Sequence, residues 1–486
     1  MSSPHSRLRA EWFPSIPREL MAGAVATFAL IPEVIAFSFV AGVDPAVGLF
    51  ASFVISIVIA FTGGRPAMVS AAAGSVALVA APLVHVHGLP YLLAAGVLAG
   101  AIQIVFGLLR LGVLMRFVST SVRTGFVNAL AILIFAAQMP HFIGANTATW
   151  AMVGLGLAII YLLPRITTAV PSPLVCIVVV TLVGHWLGLP LKTVADLGHL
   201  PDALPAFALP SVPMSLDTLR IIALPAFAIA MVGLLESMMT ASVVDDLTDT
   251  PSSKNRECSG LGIANVAASF FGGIAGCGMI GQTVSNVRYG GRGRLSTLFA
   301  GVFLLILMVL LKPWISQVPV AALVAIMVMV SASTFDWGSL RTLVRHPRMS
   351  SAVMLATVAV TVATDNLAAG VATGVMLSGV FFTFKVARLL HVHADTVDES
   401  GTRVYRVSGQ VFFASADMLV DAFDVREIDG APVHIDVSQA HFWDVTSVAA
   451  LNKVVERLRK HGSVVHVTGL NRASRDLILR LDAAPE

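Results

Sequence analysis

Apolar runs long enough to cross a bilayer follow one another from residue 20 to residue 390, interrupted by short polar or Gly/Pro breaks. Runs of about 20 residues are read as helices, and shorter ones are accepted where a glycine or proline break marks a half-helix. The spans are 20–42, 45–62, 67–84, 90–109, 118–138, 149–163, 171–188, 219–241, 258–271, 274–289, 295–312, 317–332, 350–365 and 367–390, fourteen in all. The tenth is anomalous. Gly272 to Asn286 reads Gly-Gly-Ile-Ala-Gly-Cys-Gly-Met-Ile-Gly-Gln-Thr-Val-Ser-Asn, and its five glycines, amide and hydroxyls suit a lipid-facing helix poorly. An interrupted membrane segment is tolerated only where its freed backbone groups meet protein, water or a solute.

The pattern changes near His391. Val404 to Val407, Val411 to Phe413, Pro432 to Val437 and Val464 to Thr468 have strand character, while Val448, Leu451, Val454, Val455 and Leu458 share one face of a helix. A small α/β domain is expected over residues 400–486, after a transport domain over residues 20–392 and an N-terminal segment of residues 1–19.

Composition agrees with the hydropathy pattern. Hydrophobic residues are 56% and charged residues 12% of the chain, and mean hydropathy is +0.85, outside the range of soluble domains. The lipid bilayer is thus the first partner. Net charge is +3, without a basic block of the kind that binds nucleic acid. Cys176, Cys258 and Cys277 lack zinc or disulfide spacing and read as small membrane residues. Arg7, Arg9 and Arg18 precede the first run, which contains Pro32 and Glu33, so it reads as a retained span rather than a cleaved signal.

Charge asymmetry fixes an orientation. With the N-terminus inside, the inner connections carry Arg65, Arg110, Arg116, Arg165, Lys254, Arg256, Arg288, Arg292, Arg294, Arg341, Arg345 and Arg348. The outer ones carry little beyond Lys192, Arg220 and Lys312. The bias supports fourteen crossings with both termini in the cytoplasm of a bacterial inner membrane.

An internal repeat is also legible. Ile31-Pro32-Glu33 puts a carboxylate in span one and Leu234-Leu235-Glu236 puts one in span eight; Gly63-Gly64 precedes Ser70 to Ser75 as Gly272-Gly273 precedes span ten. Both offsets are roughly 200 residues, so the chain reads as two seven-span halves, about 20–190 and about 217–392, the second inverted in the membrane. Ordinary helix packing is the other reading of these small-residue runs.

The whole chain resembles the sulfate permease (SulP) family, prokaryotic relatives of the animal sulfate and anion exchangers. The resemblance rests on Ile31-Pro32-Glu33 with Ala36-Phe37, on Ala41 to Pro45 with Gly48-Leu49-Phe50, and on Asn255-Arg256-Glu257 with Gly260, Gly262 and Asn265. It rests further on Phe271-Gly272-Gly273 through Asn286, followed by Gly290-Gly291-Arg292. It implies a fold similar to uracil permease, with a core domain of spans one to four and eight to eleven and a gate domain of the others. It also implies a cytoplasmic STAS domain and a homodimer. In a STAS domain the phosphorylated serine would stand at Val445, so that switch is not expected; Asp444 or Thr446 reads instead as a helix cap.

If spans three and ten are half-helices starting near Ala72 to Ser75 and Ile280 to Thr283, their unpaired amides form an anion site. The substrate-binding candidates are Ala72, Ala73, Gly74, Ser75, Gly281, Gln282, Thr283 and Phe37, with Ser285 a further hydroxyl. Phe37 stands where relatives often carry a tyrosine near the substrate, though a phenylalanine among apolar neighbours more often serves packing. Many relatives carry arginine at the position of Gln282 and glutamine at that of Glu33. Losing a fixed positive charge and gaining a carboxylate points to proton uptake at Glu33 with the substrate; the structural alternative is a cap on the Pro32 kink. Glu236 and Thr240 lie one helical turn apart and resemble the sodium site of the bicarbonate-carrying branch, but Glu236 suits a proton equally.

The expected function is a secondary active transporter that couples a small carboxylate or dicarboxylate anion to protons. Sodium-coupled bicarbonate or sulfate symport, or anion exchange, is the alternative; an uncoupled channel and a STAS-linked sensor are more remote. No cofactor, resident metal or catalytic group is expected, only the coupling ion H+ or Na+. The His85-Val86-His87 and His391-Val392-His393 pairs are not read as metal sites, because residues i and i+2 do not share a helix face. Asn128 and Gln138 are read as interhelical hydrogen-bond formers, and Asp365-Asn366 as a turn.

Overall fold

The computed structural model describes residues 11–113, 118–167, 170–197, 205–345, 347–394, 401–424, 428 and 430–481. Arg7 and Arg9, invoked above for the first span, and Arg116, invoked for orientation, lie outside the described residues. The chain divides into two compact units, Met1–Val375 and Met376–Glu486.

Each predicted span has a helical counterpart. The first half holds α1 Ile16–Val40, α2 Pro45–Thr62, β1 Ser70–Ala71, α3 Gly74–His87, α4 Leu89–Leu108, α5 Thr120–Ala136, α6 Thr147–Ile166 and α7 Ser172–Trp186. The second holds α8 Leu216–Thr248, α9 Lys254–Phe270, β2 Cys277–Gly278, α10 Ile280–Arg288, α11 Arg294–Ile315, α12 Val320–Thr334, α13 Arg348–Thr364 and α14 Leu367–Ala387. Among the described residues nine helices are long and apolar enough to cross a membrane, and three more are apolar but shorter. The helices α3 and α10 are the interrupted elements, each led in by a two-residue strand.

Packing sorts the helices into two sets. Helices α1–α4 pack with α8–α11, and α5–α7 pack with α12 and α13. Small residues permit the closest approach in the first set. A Cβ on Gly100 of α4 would lie 2.6 Å from the Gly262 carbonyl of α9, so these helices meet backbone to backbone.

Buried carboxylates hold the turns on the arginine-rich face. Glu257 accepts from the Gly64 and Arg65 amides at 2.7 and 3.1 Å. Glu19 accepts from the Arg292, Gly293 and Ser296 amides at 2.6, 2.9 and 3.0 Å. Each of these two glutamates therefore ties a loop of the opposite half.

The second unit carries a four-stranded sheet of β3 His391–Ala394, β4 Arg403–Val411, β5 Val433–Phe442 and β6 Val465–Thr468 in the order β3-β4-β5-β6. The first pair is antiparallel and the other two are parallel. Helices α15 Ala416–Asp421, α16 Val445–Lys460 and α17 Arg472–Arg480 accompany it. Val448, Leu451, Val454, Val455 and Leu458 are buried as the periodicity requires. Asp444 is the N-cap of α16, in a reciprocal capping box with Ser447.

Several sequence readings change here. Val411 closes β4 and Phe412-Phe413 turn away instead of forming a strand. The strand β3 precedes residue 400 and lay unseen, being too short for a periodic signal. It also removes the argument against His391 and His393, since residues i and i+2 share a face in a strand. The Gln138 side chain, just past the end of α5, donates back to the Ile134 carbonyl of that helix, 3.3 Å away. Asn128 does bridge elements, donating to Ser339 at 2.8 Å and accepting from the Asp336 amide.

Candidate functional site: the paired half-helices

The strands β1 and β2 pair antiparallel, Ser70 with Gly278 and Ala71 with Cys277. With two residues each, they leave polar backbone groups deep inside an apolar unit, which must find partners. Hydroxyls of α2 serve the first strand: Ser52 accepts from the Ala72 amide at 3.2 Å and Ser56 donates to the Ser70 carbonyl at 2.8 Å. Helices α8 and α9 serve the second. Ser237 accepts from the Gly278 amide and Thr240 donates to the Gly278 carbonyl, both at 2.8 Å. Asn265 accepts from the Gly276 amide at 2.9 Å and donates to the Gly276 carbonyl at 3.2 Å and to Gln103 at 2.9 Å.

The helix starts are treated differently. Ala73 and Met279, the N-caps of α3 and α10, are extended and neither end has a side-chain cap. The first helical bonds run from Ala77 to Ala73 and from Thr283 to Met279. The amides of Gly74, Ser75 and Val76, and of Ile280, Gly281 and Gln282, therefore precede any intrahelical partner. Gly281 is exposed, and a Cβ added there would meet no atom within 4 Å. By contrast, a Cβ on Gly74 would lie 2.6 Å from the Phe37 ring, so the buried phenylalanine covers the start of α3.

Two carboxylates stand beside these starts. Glu33, half-buried on α1 one turn before Phe37, has the Gln282 side chain as its polar neighbour. Glu236 of α8 accepts from the Ser75 hydroxyl and from Cys277 Sγ at 3.1 Å. Glu236 thus links the half-helix of one repeat to the strand of the other.

The geometry changes three expectations. The Thr283 hydroxyl faces Val69, accepting from its amide at 2.9 Å, and is not directed to a solute. Ser75 spends its hydroxyl on Glu236. The Thr240 hydroxyl straps α8 to β2, so it and the Glu236 carboxylate are committed to different partners. Ala72 and Ala73 lie buried at the crossing. Cys277, read from sequence as a filler, is a partner of Glu236, and Gln103 supports Asn265; neither carries a sequence signal, because each role depends on a tertiary contact.

Paired half-helices that meet start to start between two seven-helix halves define a polytopic membrane protein of the inverted-repeat transporter class. Residues 16–153 and 145–357 match the sulfate permease family and residues 393–485 match the STAS domain. The chain belongs to the sulfate permease family. It is 50% identical over 475 residues, 98% of both chains, to YbaR of Bacillus subtilis strain 168, named a candidate sulfate transporter. It is 25% identical over 505 residues, 94% of this chain and 89% of the other, to the bicarbonate transporter BicA of Synechocystis. Among solved structures, the transmembrane domain of a cyanobacterial BicA matches with TM-score 0.67 and 26% identity over 73% of this chain and 97% of that one. The murine anion transporter Slc26a9 matches with TM-score 0.84 and 18% identity over 96% and 87%, a likeness of fold.

Proposed function

We propose that the chain is a secondary active anion transporter that carries a small carboxylate together with protons, with the anion held between the starts of α3 and α10. The observation that carries this reading is the uncapped, open first turn of α10, with the Glu33 carboxylate neighbouring Gln282 of that turn. Helix-start amides bind an anion without a lysine or arginine, and a carboxylate at the same place makes room for that anion when it takes a proton. Glu236 is the second coupling group, with a proton rather than sodium as its ion, because its carboxylate and the Thr240 hydroxyl serve separate partners. The membrane is a bacterial inner membrane with both termini in the cytoplasm, and the working unit is a homodimer whose STAS domains support folding or bind a further partner.

The names of the relatives favour a second reading, in which sulfate or bicarbonate is the solute. A panel of radiolabelled fumarate, sulfate and bicarbonate in proteoliposomes, with proton and sodium gradients imposed separately, tests both. Uphill accumulation of fumarate driven by protons without sodium is the expected result. Glu33→Gln should still exchange anion but ignore the pH gradient; uptake that stays fully gradient-dependent in that variant would remove Glu33 from the mechanism. Downhill flux alone would identify a channel.

A further inference from the structure

A cavity of about 540 Å³ opens on the arginine-rich face of the transmembrane unit. Arg123 in the first turn of α5 forms one side, and Lys254 and Asn255 at the start of α9 form the other. Its inner wall is Leu235, Met238 and Met239, on the same turns of α8 that carry Glu236.

The charge left over at the cavity is that of Arg123. Asp245 is shared between Lys254 at 2.9 Å and Arg65 at 3.3 Å, and Glu257 faces the same two cations. Arg123 has no carboxylate partner among the described residues: its contact to Thr120 is 3.4 Å long and its buried Nε has no hydrogen-bond partner. An ion-pairing group held over a cavity with a spare buried donor is arranged for an anion that is not part of the chain. The placement adds a mechanical point. Arg123 belongs to the helix set of α5–α7, whereas Lys254 and Asn255 belong to the set that carries the half-helices, so an anion in the cavity would touch both sets at once.

We propose that this cavity is a second anion station, on the route between the half-helix site and the arginine-rich face, with Arg123 as its principal ligand. The inference rests on the reading of the chain as an anion transporter. It assigns Arg123 a side-specific role: the station concentrates the anion on one face and does not alter affinity at the other.

The test uses the full chain in membrane vesicles of both orientations, with radiolabelled fumarate and sulfate presented at each face. Arg123→Gln should raise the half-saturation concentration at the arginine-rich face about tenfold, the usual weight of one charge-assisted hydrogen bond. The opposite face should be unchanged, with maximal rates shifting so that the equilibrium across the membrane is untouched. Arg123→Lys should recover most of the affinity. Equal changes at both faces, or a change matched by a lower unfolding temperature of the detergent-solubilised variant, would assign Arg123 to structure and overturn the proposal. So would an effect that follows the phosphatidylglycerol content of the vesicles, since the cavity would then hold a lipid headgroup. Absence of fumarate, sulfate or bicarbonate flux in the unaltered protein would overturn the transporter reading and this station with it, whereas wild-type flux with a silent Arg123→Gln removes the station alone.

Discussion

Ile280→Pro would remove one backbone donor from the half-helix site while leaving the helix intact. Ile280 is the first residue of α10, where proline's fixed φ suits a helix and its missing N–H breaks no helical bond. The residue before a proline must be extended, and Met279 already is, with φ −90° and ψ 119°. Ile280→Ala serves as the control for the lost side chain. A hydrogen bond to a charged group contributes about 1.5–3 kcal/mol. The proline variant should therefore bind the anion at least tenfold more weakly than the alanine variant, since about 1.4 kcal/mol is a factor of ten. The assay is the half-saturation concentration for uptake in proteoliposomes, paired with the unfolding temperature of each variant. If proline and alanine variants have equal half-saturation, the start of α10 does not hold the anion, and the site must be sought elsewhere.

Three further outcomes are expected. Gln282→Arg supplies the fixed positive charge that the site lacks, so uptake should lose much of its proton dependence and the order of preferred anions should change; a substrate panel at two pH values reads both. Asn265→Ala strands the Gly276 amide and carbonyl and the Gln103 oxygen in the core, at a cost of about 2–5 kcal/mol from unpaired buried groups, visible as a large fall in unfolding temperature; a change within error would show that the Asn265 contacts carry no weight. Asp444→Ala removes bonds of 2.8 Å to the Ser447 and Phe413 amides. About 1 kcal/mol of cap is then lost, and amide exchange should quicken in the first turn of α16 while transport half-saturation stays unchanged.

The helices were legible in the sequence to the extent that lipid sets their length. Pro45 and Gly63 bracket a run with no charge, and α2 begins and ends where those residues place it. The span expected to end at residue 241 continues to Thr248, because the hydropathy falls where the membrane ends but the helix continues until Asp249 takes a left-handed conformation. The half-helices could be located from Gly272 to Asn286 by their unsuitability for lipid. Their strands could not, since β1 and β2 are defined only by each other. For the same reason the hydroxyls of Ser75 and Thr283 were expected at the solute and that of Thr240 at the coupling ion: a sequence shows that a donor is present and not which carbonyl or carboxylate will occupy it.

That reassignment of hydroxyls sharpens the electrostatics. Ser52, Ser56, Ser237, Thr240 and Asn265 absorb polar groups of the strands and their flanks, so among the described residues the free donors left at the crossing are the backbone amides of two helix starts and the unpartnered Ser70 hydroxyl. Each start is worth roughly half a positive charge, about one unit for the pair. Glu33 and Glu236, if both ionised, bring two negative charges to the same place and outweigh it. A site of that balance repels an anion unless a proton arrives on a carboxylate. Because linkage is reciprocal, the anion then tightens proton binding by the same factor. On the proposed reading coupling follows from the charge count at the half-helices, and Glu33→Gln, by removing one unit of repulsion permanently, should leave the anion bound without its proton.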